Sequence, residues 1–295
     1  MNADEMNADI AKTAVREKYA AIARARSAEE DVDASEPSSC CGPSSTEVSA
    51  SSSGSSGDSG CCSGELEVTM IGDDYDGVEG YVADADLQLG CGVPTDLAGI
   101  QQGDTVLDLG SGAGLDVFTA RHITGPDGRV VGVDMTPEMI QKARANAATL
   151  GFDNVTFVEG DIENLPLDGD QFHVVISNCV LNLVPDKATA FAEMLRVLRP
   201  GGHFCVSDIV VRGVLPDAVR RSAEMYAGCV GGAIEEADYL AMLRDAGFDD
   251  VTVLRRKTID VPDEALLKRA PADEVNAFRD GGAIESITVR GERPA

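Results

Sequence analysis

Beyond residue 64 the chain alternates two hydrophobic patterns. Short continuous apolar runs at Thr105–Leu109, 130–134, 155–158, 173–177 and 203–207 read as strands, and each of the first four is followed by a helical or loop-plus-helical stretch. Strands separated by helices imply a parallel sheet covered on both faces. Further along, 238–246 has helical spacing and ends at Gly247, 251–261 reads as extended, and 284–290 alternates as a final strand. Seven strands in this order predict a doubly wound α/β sheet whose last strand returns by a hairpin-like route. The chain has no internal repeat.

The first 64 residues read differently. Ile10, Ala14, Val15, Lys18, Tyr19 and Ile22 fall at helical spacing and predict a short amphipathic helix that docks on the main body. From 35 to 64 the composition shifts: 13 of these 30 residues are Ser, several more are Gly or Pro, and the apolar content is close to nil. Such a stretch cannot bury enough surface to offset its ordering entropy and is expected to be a flexible linker or tail. The expected organisation is therefore a helix plus Ser/Gly/Cys-rich tail over 1–64, a core over 65–215, and a cap region over 216–295 that completes the sheet.

At 295 residues the core is large enough to need no staples. Charge narrows the function classes: 24 Lys and Arg against 51 Asp and Glu leave a net −27, which repels phosphate backbones and anionic lipid. No nucleic-acid or membrane partner is expected. The acids are spread along the whole chain, as in a salt-adapted surface whose stability rises with KCl. The opening residues carry neither a basic region nor an apolar run, and no stretch is long enough to span a membrane, so a cytoplasmic protein with reduced thiols is expected. Eight Cys in that setting, at 40, 41, 61, 62, 91, 179, 205 and 229, point to metal, metalloid or redox chemistry before structural disulfides.

The first strand runs into Asp108-Leu109-Gly110-Ser111-Gly112-Ala113-Gly114 and then a helix. Glycines there let the backbone turn tightly beside a ligand, and the helix N-terminus offers free N–H donors. A dinucleotide fingerprint would need glycine at 115, where Leu115 stands, so pyrophosphate binding is disfavoured. The acid-x-Gly-x-Gly-x-Gly form instead resembles the S-adenosylmethionine site of class I methyltransferases. Asp134 ends the second strand, where it could accept from both ribose hydroxyls. Asp161 follows the third, where it could meet the adenine amino group with Ile162 against the ring. The same resemblance extends the expected cofactor contacts to Met135 and Asn178. Alone, either acid could also be a helix cap or a turn residue, an alternative that weakens when both acids are read with the glycine loop.

Three Cys lie in loop-like sequence: Cys91 in Leu89-Gly90-Cys91-Gly92-Val93-Pro94, Cys179 after the fourth strand, and Cys229 in Ala227-Gly228-Cys229-Val230-Gly231-Gly232. In a class I methyltransferase the loop after strand four abuts the transferred methyl, so the three could converge over the cofactor. Cys205, in the strand run Phe204-Cys205-Val206, reads as a small core hydrophobe. His122, His173 and His203 sit in helix or strand patterns and read as structural, and no His and Cys fall at zinc spacing.

Taken together, Glu79-Gly80-Tyr81-Val82-Ala83-Asp84-Ala85-Asp86, the Cys91 turn, the glycine loop, Ser177-Asn178-Cys179-Val180-Leu181-Asn182-Leu183-Val184-Pro185-Asp186-Lys187 and Ala223-Glu224-Met225-Tyr226-Ala227-Gly228-Cys229 resemble arsenite methyltransferases, from about residue 79 to the C-terminus. The resemblance implies that Cys91, Cys179 and Cys229 hold As(III) as substrate and carry the reaction. It also implies that the pairs Cys40-Cys41 and Cys61-Cys62 help capture the metalloid, for which incidental metal binding is an equal alternative. Some members place an aromatic residue two positions before the first arsenic Cys; here that position is Leu89, so such a contact must come from Tyr75, Tyr81 or elsewhere, or be absent. As(III) takes three thiolates in a pyramid, its lone pair can attack the methyl of S-adenosylmethionine in line with the leaving sulfur, and no general base is needed. Thiolate being the ligand form, binding is expected to release protons. A thiol reductant such as glutathione or thioredoxin would restore trivalent arsenic, and the protein is expected to act as a monomer on arsenite or its thiol adducts. Two other readings stay open at this point: a methyltransferase with an organic acceptor such as a quinone precursor or sterol, and a non-enzymatic metalloid-binding protein.

Overall fold

The computed structural model describes residues 3–33, 75, 77–222, 225 and 229–295. Cys40, Cys41, Cys61 and Cys62, and with them the expected tail, lie outside the described residues. A long helix, α1 (Ala3–Asp33), precedes the sheet. The first half of the fold then runs β1 (Thr105–Leu109), α2 (Leu115–Thr124), β2 (Arg129–Asp134), α3 (Pro137–Leu150), β3 (Val155–Glu159), β4 (Phe172–Asn178) and α4 (Lys187–Val197). The second half is β5 (Leu198–Arg212), α5 (Asp217–Arg220), α6 (Glu236–Asp245), β6 (Asp249–Ile259), α7 (Asp263–Leu267), α8 (Ala272–Arg279) and β7 (Ala283–Glu292).

The seven strands form one sheet in the order β3-β2-β1-β4-β5-β7-β6. The first five are parallel, with Val106, Leu107 and Leu109 of β1 fully buried between β2 and β4. A mostly apolar strand buried in this way is what a sheet covered on both faces requires. β7 slots between β5 and β6, antiparallel to both. The final return is therefore wider than a tight hairpin, because α7 and α8 separate β6 from β7. Strand order reverses between β1 and β4, and their carboxyl ends open the crevice where doubly wound sheets bind ligands.

Local chemistry explains where the helices start and stop. Asp186 caps α4, its carboxylate accepting from the Thr189 amide at 3.0 Å, while α3 begins on Pro137 and ends at Gly151 in the left-handed region. Helix α1 docks as the apolar spacing predicts, with Val15, Ala20 and Ala23 buried, but Ile10 is 61% exposed and takes no part in that face. The helix is also much longer than the short element read from the sequence, because its polar flanks carry no helix breaker between Ala3 and Asp33.

Candidate active site

A cleft at the carboxyl ends of β1, β2 and β4 is lined by Asp108, Gly110, Ser111, Gly112, Asp116, Asp134, Met135, Asp161, Ile162, Asn178 and Cys179, and by Lys12 and Tyr19 of α1. All the expected cofactor contacts but Gly114 therefore face one space. Gly114 works from behind: it enters α2 at φ 102°, and a Cβ there would sit 2.8 Å from the Phe118 ring. Gly110, at φ 74°, passes so close to Val180 that a Cβ would meet its methyl at 2.4 Å. No side chain fits in that turn without displacing the loop that carries Cys179.

Three carboxylates meet in the cleft. Asp134 accepts from the Gly112 amide at 3.0 Å and the Thr136 amide at 2.8 Å, which fixes its plane and leaves lone pairs free. Asp108 is buried, and burial together with the neighbouring carboxylates of Asp116 and Asp134 pushes its pKa well above the usual range. Asp116, in the first turn of α2, is pushed up to about 6 by burial, against hydrogen bonds from Asn178 and Tyr75 that favour its charge. Among the described residues neither Asp108 nor Asp116 has a cationic partner, and the buried Ser111 hydroxyl has no hydrogen-bond partner at all. A cleft with an orphaned hydroxyl and two buried acids lacking a cation fits a ligand that is cationic and polar, as S-adenosylmethionine is.

Asp116 and Tyr75 are contacts that the motif reading did not assign to the cofactor end. The Tyr75 hydroxyl donates to Asp116 at 2.9 Å and receives the Asn178 Nδ2 at 2.8 Å. Asn178 also donates to the Gly92 carbonyl at 2.7 Å and accepts from the Cys91 amide at 3.0 Å. It thus lines the cleft while tying the Cys91 turn to β4. A Cβ on Gly90 would collide with Asn178 at 2.7 Å and one on Gly92 with Ser207 at 2.4 Å, so both glycines flanking Cys91 are fixed by close packing. Asp161 is already engaged: Lys12 Nζ lies 2.7 Å from its carboxylate and also pairs with Glu163.

Cys91, Cys179 and Cys229 are free, buried, and packed in one apolar cluster. The Cys179 thiol is hydrogen-bonded with both of the others, and the Cys229 thiol donates to the Cys179 carbonyl at 3.3 Å. Only Cys179 lines the cleft wall, with the other two behind it. Cys179 (φ 60°) and Cys229 (φ 68°) both adopt the left-handed region, uncommon for a residue with a Cβ. Hydrogen bonds from elsewhere hold them there: the Cys179 amide donates to the Ser207 carbonyl at 2.8 Å, and Asn182 Nδ2 donates to the Cys229 carbonyl. Strain of this kind, held by its surroundings, concentrates at functional sites. Hydrogen bonds with Cys229 and Cys91, then burial, hold the Cys179 thiol well above its usual pKa, and burial raises that of Cys91. Cys91 and Cys179 are therefore protonated at neutral pH.

The other candidates fall where the sequence suggests. Cys205 is buried in β5, its thiol pushed up to about 12 by burial. His173 accepts from the Thr105 amide at 2.9 Å, and His203 sits 2.6 Å from the Ala98 carbonyl, both as structural contacts. Leu89 packs beside Tyr19 and Ile22 of α1. No helix among the described residues is long and apolar enough to cross a membrane.

The sheet order, the glycine loop and the acid-lined crevice together define the class I S-adenosylmethionine-dependent methyltransferase fold. The chain belongs to the methyltransferase domain family, whose model matches residues 100–247. It is 42% identical over 292 residues to an arsenite methyltransferase of Halobacterium salinarum, covering 95% of this chain and 66% of that protein. It is 39% identical over 189 residues to an arsenite methyltransferase of Aquipseudomonas alcaligenes, covering 61% and 54%. The crystal structure of an arsenic(III) S-adenosylmethionine methyltransferase from Chlamydomonas reinhardtii superposes with a TM-score of 0.58 at 37% identity, over 68% of this chain and 66% of that one. The chain thus spans between about half and two thirds of the length of these relatives.

Proposed function

We propose that the chain is an arsenite methyltransferase that transfers methyl groups from S-adenosylmethionine to trivalent arsenic held by Cys91, Cys179 and Cys229. The observation that carries this reading is the packing of three free thiols against one another at the wall of the cofactor cleft, with two of them on left-handed backbone. Asp108 and Asp116 would hold the cationic end of the cofactor. Asp134 would take the ribose, and Asp161 with Ile162 the adenine, while Gly110, Gly112 and Ser111 form the cradle. Bound S-adenosylmethionine would supply an electrophilic methyl: the arsenic lone pair forms the As–C bond as the C–S bond breaks, taking arsenic from the +3 to the +5 state. The protein's part is orientation and exclusion of water.

Protonated Cys91 and Cys179 revise one expectation about protons. When neutral arsenous acid exchanges three hydroxides for three sulfurs, each thiol proton leaves in a water molecule and the net release is zero. The site therefore does not need pre-formed thiolates, which its dry surroundings disfavour. Returning arsenic to the trivalent state for a further methylation takes two electrons, which glutathione or thioredoxin would supply. A cytoplasmic, monomeric enzyme fits this reading.

An organic acceptor leaves the thiol cluster without a role, and a pure scavenger leaves the acid-lined cleft without one. The test is incubation with S-adenosylmethionine, arsenite and a thiol, followed by chromatographic separation of arsenic species. Cys179→Ser and Cys229→Ser should each abolish methylated products while S-adenosylmethionine binding persists; normal turnover in either refutes the reading. Replacing Cys40, Cys41, Cys61 and Cys62 together by Ser should leave methylation intact and slow capture at low arsenite, whereas a scavenger would lose its binding.

A further inference from the structure

Helix α1 does more than cover the sheet. It lies along the cleft: Lys12 grips Asp161 and Glu163, Tyr19 reaches the thiol cluster, and outside the cleft lining Arg24 pairs with Glu138 at 2.5 Å. The Tyr19 hydroxyl lies 3.9 Å from Cys229 Sγ, within hydrogen-bonding reach for sulfur. Cys229 donates its own proton to the Cys179 carbonyl, so the direction left for the contact is from the tyrosine hydroxyl to the sulfur. Burial, then the adjoining Cys229 and Cys179, hold the Tyr19 hydroxyl well above its usual pKa, which keeps it a neutral donor. Its ring also lines the cleft beside Cys179, in the same cluster as Leu89.

Resting on the arsenite reading above, we infer that Tyr19 is a positioning residue of the acceptor site: its hydroxyl orients the Cys229 sulfur, so that the N-terminal helix completes the three-sulfur cradle. The donor from α1 points the sulfur's lone pairs while the S–H points to the Cys179 carbonyl. The same helix touches the cofactor side through Lys12, so acceptor and donor ends share one cover.

The test uses the full chain carrying Tyr19→Phe, which keeps the ring and removes only the hydroxyl. Arsenite is titrated through the near-ultraviolet As–S charge-transfer absorbance, and alkylation of Cys229 by iodoacetamide is followed by mass spectrometry against pH. Loss of one neutral hydrogen bond predicts about three- to tenfold weaker arsenite binding. The alkaline midpoint for Cys229 alkylation should also rise by roughly half a pH unit. S-adenosylmethionine affinity should stay within about twofold. Arg24→Ala, which loosens the same helix on its exposed side, should leave both Cys229 readouts at wild-type values. Wild-type arsenite affinity and an unmoved Cys229 profile in Tyr19→Phe overturn the inference, as does an equal shift in Arg24→Ala, which would mean general loosening of α1. Failure of the underlying reading looks different: the charge-transfer band would survive Cys229→Ser, and Tyr19 would then have no acceptor to position.

Discussion

Asp116 offers the sharpest handle on the cofactor end of the cleft, because stability and binding should respond to it in opposite directions. Its carboxyl is buried, raised to about 6, and shares the cleft with Asp108, which burial and the neighbouring carboxylates also raise. Replace it by Asn, which keeps the shape and an acceptor for Tyr75. In the wild type the folded state holds more protons than the unfolded state between the ordinary 3.8 and about 6, so this group makes stability fall as pH rises through that window. A shift of 6 − 3.8, at about 1.36 kcal/mol per unit, amounts to about 3 kcal/mol shared across the acid pair. Asp116→Asn should therefore be more resistant to urea than the wild type at pH 8 and nearly equal at pH 4. Binding should move the other way. A cationic ligand needs the carboxylate, which is about one-eleventh ionised at pH 5 if it titrates near 6, so S-adenosylmethionine should bind about tenfold more weakly at pH 5 than at pH 8. The variant should lose that pH dependence and bind about tenfold or more weakly throughout, having lost a charge-assisted contact. Calorimetric titrations at pH 5, 6, 7 and 8 check this, and a wild-type affinity flat across that range would refute the assignment of the acid pair to the cofactor's charge.

Three further substitutions probe other parts of the frame. Gly110→Ala places a methyl where Val180 stands 2.4 Å away and on a φ of 74°, and should abolish S-adenosylmethionine binding with a lower melting temperature; calorimetry and thermal melts check both. Asp208→Asn removes a buried acid raised to about 7 mainly by burial. Because the raised acid costs stability as pH climbs from about 4 to 7, the variant should show a flatter stability curve, gaining up to about 4 kcal/mol at pH 8 in urea melts. Cys205→Ala leaves a small void in a central strand and should cost about 1 kcal/mol while arsenite methylation and the As–S absorbance stay at wild-type levels.

The sheet was legible in the sequence because each parallel strand carries a short, mainly apolar run, as in Val130-Val131-Gly132-Val133 before Asp134. The glycine loop and the Cys91, Cys179 and Cys229 segments were legible for a related reason: residues that must pass close to a ligand cannot be hidden by periodicity. What the sequence hid is contact across long separations. Lys12 meets Asp161 across 149 positions and Tyr19 meets Cys229 across 210, and nothing in the amphipathic spacing of α1 says which groove it fills. Asp116 was hidden differently. An acid in the first turn of a helix is the ordinary partner of the helix dipole, and only the approach of Tyr75 and Asn178 from two other segments makes it part of the cleft.

The two ends of the cleft then divide the pH response of the reaction between them. At the acceptor end burial holds Cys91 protonated, and hydrogen bonds with its two neighbours together with burial hold Cys179 so; exchange with arsenous acid consumes thiol protons as water, so the ionisation of these two does not set the occupancy of the site. At the donor end the cation requires a carboxylate, and Asp116 supplies one only above about 6. Methylation at subsaturating S-adenosylmethionine should accordingly rise with pH through about 6, and the rise should vanish when the cofactor is saturating or when Asp116 is Asn. A rise that persists under both conditions would place the controlling group among the thiols instead, and would mean that the substrate enters the site on thiolates the dry surroundings ought to suppress.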